Sequence, residues 1–105
     1  MRIVVVFNLK AGVKPEDYEA WARSVDIPAV RSLTSVSGFE VFEATHLLGS
    51  DATPPYRYVE IIDVAAPEGF GDDVSSAKMQ QISKAFQEFA DSPQFLVTRN
   101  IESGA

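Results

Sequence analysis

The chain has 105 residues, of which 46% are hydrophobic and 23% charged, and its net charge is -6 at neutral pH. This length suits one compact domain, and the composition is that of a folded protein rather than a disordered one. The nine Lys and Arg residues are scattered singly, so no basic patch offers a surface to nucleic acid. Cysteine is absent, which excludes disulfides, thiolate nucleophiles and cysteine-ligated metal sites.

The first segment, residues 2–9, is apolar or β-branched at nearly every position, which is typical of a strand covered on both faces. It is much shorter than the roughly 18 apolar residues that a membrane span needs, and no small-residue cleavage site follows it. We therefore expect neither a membrane segment nor a secretory signal. A cytoplasmic location fits these features.

A helix is predicted to begin at Pro15, because proline is favoured in the first turn and two acidic residues follow it. Apolar side chains at helical spacing continue to Val25. We expect this helix to end near residues 26–28 and to be followed by another helical turn that reaches Leu33.

A hairpin is predicted next. Residues 37–48 alternate in a pattern that favours a long strand over a helix. Turn-forming residues 49–55 follow, and residues 56–64 indicate a returning strand. The loop does not determine the register of the two strands.

The last third of the chain predicts a connector, a helix and a strand. Residues 65–76 indicate a short helical turn, and either Ser75 or Ser76 is expected to cap the helix that follows. An Asp-Ser-Pro sequence at residues 91–93 is predicted to stop that helix, and residues 94–101 to form the last strand. The apolar stripe of the helix contains Met79, Ile82, Phe86 and Phe89. Residues 102–105 are expected to fray.

This order of elements predicts an α+β fold, the ferredoxin-like βαββαβ arrangement, as a single domain over residues 1–101. A four-stranded antiparallel sheet then carries both helices on one face. The first strand is apolar on both sides, since Val4 and Val6 alternate with other apolar residues, so the second face of the sheet must also be covered. We therefore expect a homodimer through that sheet face, as in a dimeric α/β barrel.

Five segments carry a family resemblance that runs over about residues 1–101: RIVVVFNLKAGVKPEDYEAWA, IPAVRSL, GFEV, LLGS and PYRYVEIIDV. They resemble the REDY-like family, also called the HapK family, which belongs to the dimeric α/β-barrel superfamily and is linked to prodigiosin-type pigment biosynthesis. The resemblance implies secondary metabolism, a pocket between sheet and helices, and no assignable cofactor. The ligand it implies is a small aromatic or polyketide-like molecule.

Barrels related to this family include antibiotic-biosynthesis monooxygenases, lactone isomerases and haem-degrading enzymes. The haem degraders use an Asn, a Trp and a His, and Asn8 is similar to the first of these. The third strand offers Tyr56 and Tyr58 in place of Trp, and the last helix has no His. Haem is therefore not expected, and neither is a metal site.

His46 is the sole histidine, and histidine is the side chain that ordinarily titrates near neutrality, so it is the natural general acid or base. In one hairpin register it faces Tyr58, with Tyr56 and Glu60 on the same strand face, where they could orient the imidazole. In the register shifted by one residue it faces Arg57, whose charge would favour the neutral, basic form. The alternative is a half-exposed histidine without a function.

Four more residues are candidates for ligand contacts. Asn8 interrupts an apolar strand, and is either a handle for a ligand or a strand-end residue facing solvent. Trp21 and Phe86 are expected in the core, and would wall an aromatic pocket if one forms there. Glu60 is either a buried acid with a raised pKa or an exposed strand residue, and exposure is the simpler expectation.

The leading hypothesis is a dimeric small-molecule-binding protein that promotes a cofactor-free acid-base step, namely cyclisation, dehydration or isomerisation of an aromatic intermediate. Its catalytic residues would be His46 and Tyr58. Its substrate-binding residues would be Asn8, Trp21, Tyr56, Glu60 and Phe86. A non-catalytic carrier or accessory dimer is the first alternative, and a cofactor-free monooxygenase is the second.

Overall fold

Four strands and four α-helices make up the fold, which a computed structural model describes over residues 1–103. The strands are β1 (Arg2–Leu9), β2 (Val36–Glu43), β3 (Tyr58–Val64) and β4 (Ala90–Thr98). The helices are α1 (Pro15–Trp21), α2 (Ile27–Arg31), α3 (Pro67–Val74) and α4 (Ala77–Phe89), and a π-helical segment (Ala22–Asp26) joins α1 to α2. None of these helices is long and apolar enough to cross a membrane.

The strands form one antiparallel sheet in the order β2-β3-β1-β4. This order, with helices after β1 and β3, is that of the ferredoxin-like fold, so the predicted fold class is confirmed. The helices cover one face of the sheet, and we call this the inner face. Its buried residues on the two central strands are Ile3, Val5, Phe7, Tyr58, Glu60, Ile62 and Val64.

The β2-β3 hairpin is shorter than the sequence predicts. Glu43 pairs with Tyr58 at the last rung of the ladder, so the strand expected to reach Leu48 ends at Glu43. A loop of residues 44–57, the hairpin loop, then joins the strands. His46 lies in this loop, and both predicted registers are wrong.

Asn8 fastens the hairpin loop to the end of β1. Its Nδ2 donates to the carbonyl oxygen of Pro55 at 3.1 Å, and its Oδ1 accepts from the backbone N–H of Arg57 at 2.9 Å. These bonds satisfy backbone groups that would otherwise need β2 or water as partners. They account for the early end of the hairpin ladder.

The first helix continues past its predicted end, through the π-helical segment and into α2. The N–H of Ile27 bonds to the carbonyl oxygen of Ala22, which is the spacing of a π turn. Pro28 has no N–H for the helical ladder, and the wide turn accommodates its ring. The same turn brings Asp26 to the buried side of the helix that also carries Tyr18.

The connector after β3 is an eight-residue helix, α3, rather than a single helical turn. Ser76 caps α4, because its Oγ accepts from the N–H of Met79 at 3.2 Å. This observation decides between the two serines that the sequence offers as caps.

β4 also differs from the prediction. It begins at Ala90, directly after α4, although the sequence predicts only a helix stop at residues 91–93. A bulge absorbs these residues, since Ser92 has a φ of 47° and the pairing with β1 is irregular there. The strand ends at Thr98 rather than at residue 101.

The described part of the chain ends in a turn. Oδ1 of Asn100 accepts from the backbone N–H of Glu102 at 2.8 Å and from that of Ser103 at 3.2 Å. Residues 104–105 of the tail that was expected to fray lie outside the described residues.

The centre of the outer face of the sheet, opposite the helices, is apolar, and polar residues such as Glu40 and Gln94 surround it. Phe42 and Leu96 on this face are about half exposed. Two adjacent cross-strand rows provide the apolar surface, with Phe42, Val59 and Val6 in one and Ile61, Val4 and Leu96 in the other. A sheet face in contact with water is normally polar, so the pattern that predicts a covering partner is present in the folded chain.

Candidate functional site

An apolar cavity of about 430 Å³ lies between the inner face of the sheet and the helices from the π-helical segment to α4. This volume is within the range that small organic ligands occupy. Phenylalanines from four elements line it: Phe39 from β2, Phe70 from α3, Phe86 from α4 and Phe95 from β4. Aliphatic side chains complete the wall except at three polar positions, which are Asp26, Glu60 and Ser83.

The cavity opens between α3 and β4. Wall residues of these two elements are exposed, with Val74 at 37%, Phe95 at 59% and Val97 at 70%, and Phe70 is half-buried. Ser83 of α4 is also exposed, whereas the wall residues of β1 and β3 and the apolar wall residues of α4, such as Ile3 and Ile82, are buried. A ligand would therefore enter past α3 and the sheet edge, and its inner end would reach β3.

Glu60 is the polar group at the inner end of the cavity. It lies on the inner face in the middle of β3, between Val5 and Val41, and is only 4% exposed. The Tyr18 hydroxyl is 3.5 Å from its Oε2, which is a weak hydrogen bond for a buried carboxyl group. Burial and then the charge of Asp26 raise the pKa of Glu60 to about 8. Glu60 is therefore protonated at neutral pH.

Asp26 supplies a second carboxyl group to the same cavity. It is the last residue of the π-helical segment and is 6% exposed. Within residues 1–103 nothing donates a hydrogen bond to its carboxyl group. Burial raises the pKa of Asp26 to about 6, so it is ionised at neutral pH. The cavity thus holds one ionised and one protonated carboxyl group, a combination that suits acid-base chemistry.

An aromatic cluster fixes the position of Tyr18 behind Glu60. The Phe7 ring packs edge-on against Tyr18, with centroids 5.5 Å apart, and against Phe86, with centroids 4.9 Å apart. It also stacks on Tyr58 at 5.5 Å. Packing on several sides restricts the rotamer of Tyr18, so its hydroxyl is held toward the carboxyl group.

His46 does not line the cavity. It is exposed in the hairpin loop, and its Nδ1 lies 2.9 Å from Oγ1 of the adjacent Thr45. The structure does not bring it together with Tyr58 or Glu60, and its catalytic role stays a prediction.

Four other predicted site residues also lie outside the cavity wall. Asn8 binds the backbone of the hairpin loop, and its contact with a ligand stays a prediction. Tyr58 is buried, and its hydroxyl donates to Oε2 of Glu19 on α1 at 2.7 Å. Tyr56 is half-buried, with its hydroxyl 3.5 Å from Oε1 of Gln94. Trp21 is half-buried on α1 and packs against the core.

Glu60 and Phe86 are the predicted residues that the structure places in the cavity wall. The expectation that Glu60 is exposed is wrong, because its strand position faces the helices. Sequence reasoning did not single out Asp26. A signal for Asp26 was present in the sequence, because it follows Ala22 by four residues and Tyr18 by eight and so lies near the apolar stripe of the helix. A charged residue at such a position indicates a buried acid.

Together these features define a ferredoxin-like α+β protein with a ligand-sized apolar cavity that holds two carboxyl groups. Its sequence places it more narrowly. The family described as "REDY-like protein HapK" matches residues 1–101, and the chain belongs to this family. Among curated proteins, none matches the chain.

Several solved structures share the fold. HapK from Hahella chejuensis is 24% identical with a TM-score of 0.71, and the similarity covers 95% of this chain and 94% of that chain. A dimeric ferredoxin-like protein of unknown function from Thermobifida fusca has a TM-score of 0.70, with 14% identity over 90% of this chain and 85% of that one. SnoaB from Streptomyces nogalater, a cofactor-independent oxygenase, has a TM-score of 0.68, with 11% identity over 94% and 92%.

Proposed function

We propose that the protein binds a small, largely apolar molecule in the cavity and catalyses a proton transfer on it without a cofactor. The observation that carries this proposal is Glu60, a carboxyl group in the apolar wall of a ligand-sized cavity. A buried carboxyl group destabilises a fold unless it is paired, and enzymes use such groups as general acids and bases.

The two carboxyl groups suggest a division of roles. With a pKa of about 6, Asp26 is ionised at neutral pH and can accept a proton from the substrate. With a pKa of about 8, Glu60 is protonated and can donate one to a carbonyl or hydroxyl oxygen. If one proton leaves the substrate and another enters, the result is an isomerisation; if the protonated hydroxyl leaves as water, it is a dehydration. The predicted reaction class is retained, but its acid and base become Glu60 and Asp26.

Ligand binding can be tested with prodan, a neutral naphthalene ketone whose emission shifts to the blue in apolar surroundings. We expect saturable binding to the native protein. The variant Ser83→Trp, which places a large ring at the exposed edge of the cavity wall and so blocks its mouth, should lose this binding. Gln87→Trp adds the same ring to α4 one turn later, outside the wall, and should keep it. Equal binding by the two variants would contradict the cavity as the ligand site.

Catalysis can be tested without the natural substrate by the Kemp elimination of 5-nitrobenzisoxazole. A carboxylate removes the ring C3 proton while the N–O bond breaks, which yields 2-cyano-4-nitrophenolate, and an apolar site speeds this step by desolvating the base. We expect turnover above the buffer rate, a loss of about 100-fold in the double variant Asp26→Asn/Glu60→Gln, and no loss in His46→Ala. A loss in His46→Ala would return the role to His46. Prodan binding without turnover would favour the non-catalytic carrier.

We also propose that the protein is a homodimer through the outer face of the sheet. The two apolar rows on that face support this, as does the description of the similar Thermobifida fusca protein as dimeric. A second copy of the chain is the natural occupant, because a face packed against its own symmetry mate is self-complementary. The cavity lies on the other side of the sheet, so dimerisation would leave its mouth open.

A further inference from the structure

The described residues that form the wall of the cavity carry negative charge and no positive charge. Asp26 and Glu60 are the titratable residues in it, and its other residues are apolar apart from Ser83. The two arginines that flank Asp26 along the helix make other contacts. Arg23 pairs with Glu19 at 3.3 Å, and Nε of Arg31 donates to a backbone carbonyl oxygen at 3.0 Å.

Asp26 is a buried charge that no residue of the described range 1–103 pairs with. Its side chain lines the cavity, and the residue is only 6% exposed. Within residues 1–103 nothing donates a hydrogen bond to its carboxyl group. An isolated buried carboxylate is unfavourable, and a positive charge with N–H donors is the group that offsets it best. Since the wall supplies no such group, a ligand would have to bring it.

The aromatic part of the wall suits the same kind of ligand. Phe39 and Phe86 are buried residues of the wall that also holds the carboxyl groups, and Phe70 and Phe95 line the cavity nearer its mouth. Aromatic faces attract organic cations, and the attraction grows when the cation is desolvated. The aliphatic wall would contact an apolar ring or chain. Both parts of the wall therefore complement an apolar body with a charged amino group.

We propose that the ligand of the cavity is a monocation, an apolar ring-containing amine whose ammonium group lies between Asp26 and Glu60. One positive charge balances the one carboxylate that is ionised at neutral pH, so the filled cavity is neutral. Anionic ligands are disfavoured for the same reason. The inference rests on the proposed function, because it takes the cavity to be the ligand site and adds the charge of the ligand.

Three naphthalene compounds of similar shape test the charge: 2-naphthylmethylamine, 2-naphthylmethanol and 2-naphthoate, each titrated into the protein by calorimetry near neutral pH. We expect the amine to bind at least about tenfold more tightly than the alcohol, and the carboxylate most weakly. Asp26→Asn should abolish the advantage of the amine over the alcohol. Glu19→Gln removes a carboxylate that lies outside the cavity wall and should preserve that advantage.

A second measurement does not depend on a variant. The affinity of the amine should fall as the pH is lowered from about 7 to about 5, because Asp26 takes up a proton in this range, while the affinity of the alcohol should stay constant. The titratable groups that interact with Asp26 are Glu60 and Tyr18, and both are already protonated there.

The outcomes separate this inference from the proposed function. Equal affinities for the amine and the alcohol, or tighter binding of the carboxylate, would overturn the monocation and leave the cavity as a ligand site. An amine affinity that does not change with pH would also overturn it. Failure of all three compounds and of prodan to bind would reject the proposed function itself.

Discussion

Glu60 is an acid at a position where the strand pattern otherwise requires an apolar residue. Its neighbours along the inner face of β3, Tyr58 and Ile62, are buried core residues. The hydroxyl of Tyr18 is its hydrogen-bond partner, and the nearby charge of Asp26 adds to the difficulty of ionising it. The chain thus accepts a destabilising group at the centre of its sheet, which is typical of a site kept for chemistry.

The first prediction concerns the stability of the fold against pH. The pKa of Glu60 is about 8 in the folded protein and near 4.5 when unfolded, so between these pH values the folded chain holds a proton that the unfolded chain has released. The free energy of unfolding should therefore fall as the pH rises from about 4.5 to about 8. Glu60→Gln cannot ionise and should remove this part of the decline.

Thermal unfolding of both proteins from about pH 5 to about pH 9 measures the effect. Each kcal/mol of lost unfolding free energy should lower the melting temperature by about 4 to 8 °C. The melting temperature of the native protein should fall as the pH rises over this range, and that of Glu60→Gln should fall less. The raised pKa of Asp26 gives a decline of the same sign that ends near pH 6 and is present in both proteins. Parallel curves up to pH 9 would show that Glu60 ionises normally in the fold.

At the scale of the elements, the order and type of the strands and helices could be read from the sequence, but several of their ends could not. Apolar periodicity is a local signal, and it predicts β1, α4 and the buried position of Phe86 correctly. The end of β2 depends on Asn8, which is far away in sequence and captures the hairpin loop. Periodicity carries no information about such a contact, so His46 was placed on a strand that ends before it.

Asp26 could be placed only approximately from the sequence. It follows Tyr18 by eight residues, which would put it about 80° away around a regular α-helix, and the π turn reduces that angle. A proline after the turn indicates an irregularity, but it does not distinguish a helix end from a wider turn. The candidate site was therefore half predicted, with Glu60 and Phe86 found and Asp26 missed.

The second prediction tests the contact that sets the hairpin end. Asn8→Ala removes the acceptor of the Arg57 N–H and the donor to Pro55, so the hairpin loop should open more often. Amide exchange should become faster at Arg57, while Val59 inside the ladder should keep its protection. The expected loss of stability is about 1 to 2 kcal/mol.

Asn100→Ala is the matched control, because this asparagine holds the turn at the end of the chain and not the hairpin loop. It should leave exchange at Arg57 as it is in the native protein. Unchanged protection of Arg57 in Asn8→Ala would mean that the loop is held by other contacts.

At the scale of the whole molecule, the two faces of the sheet have separate roles in the proposal. The inner face carries the cavity and its two carboxyl groups. The outer face carries the apolar rows that a second copy would cover. A substitution on the outer face of a central strand can therefore test dimerisation without changing the wall of the cavity.

The third prediction uses Ile61, which lies on the outer face between Glu40 and Val4. Ile61→Lys places a charge in the middle of the proposed interface and should weaken dimerisation at least tenfold, a change of about 1.4 kcal/mol. Light scattering after size exclusion, over a range of concentrations, measures the mass. Val25→Lys adds the same charge to an exposed helical position and should remain a dimer.

A native protein that is monomeric at every concentration would contradict the dimer. A stable dimer of Ile61→Lys would contradict the outer face as its interface. Prodan binding by the monomeric variant is expected to persist, because the cavity faces away from Ile61.

The π turn at Ala22–Asp26 holds one residue more than an α-helical turn. A π turn absorbs that residue locally, so deleting a single codon from residues 23–25 would restore a regular helix without rotating α1 against α2. The aspartate would then follow Tyr18 by seven residues, which is about two turns of an α-helix, and would stay on the same helix face. Relatives that are one residue shorter at this point can therefore keep both acids of the cavity.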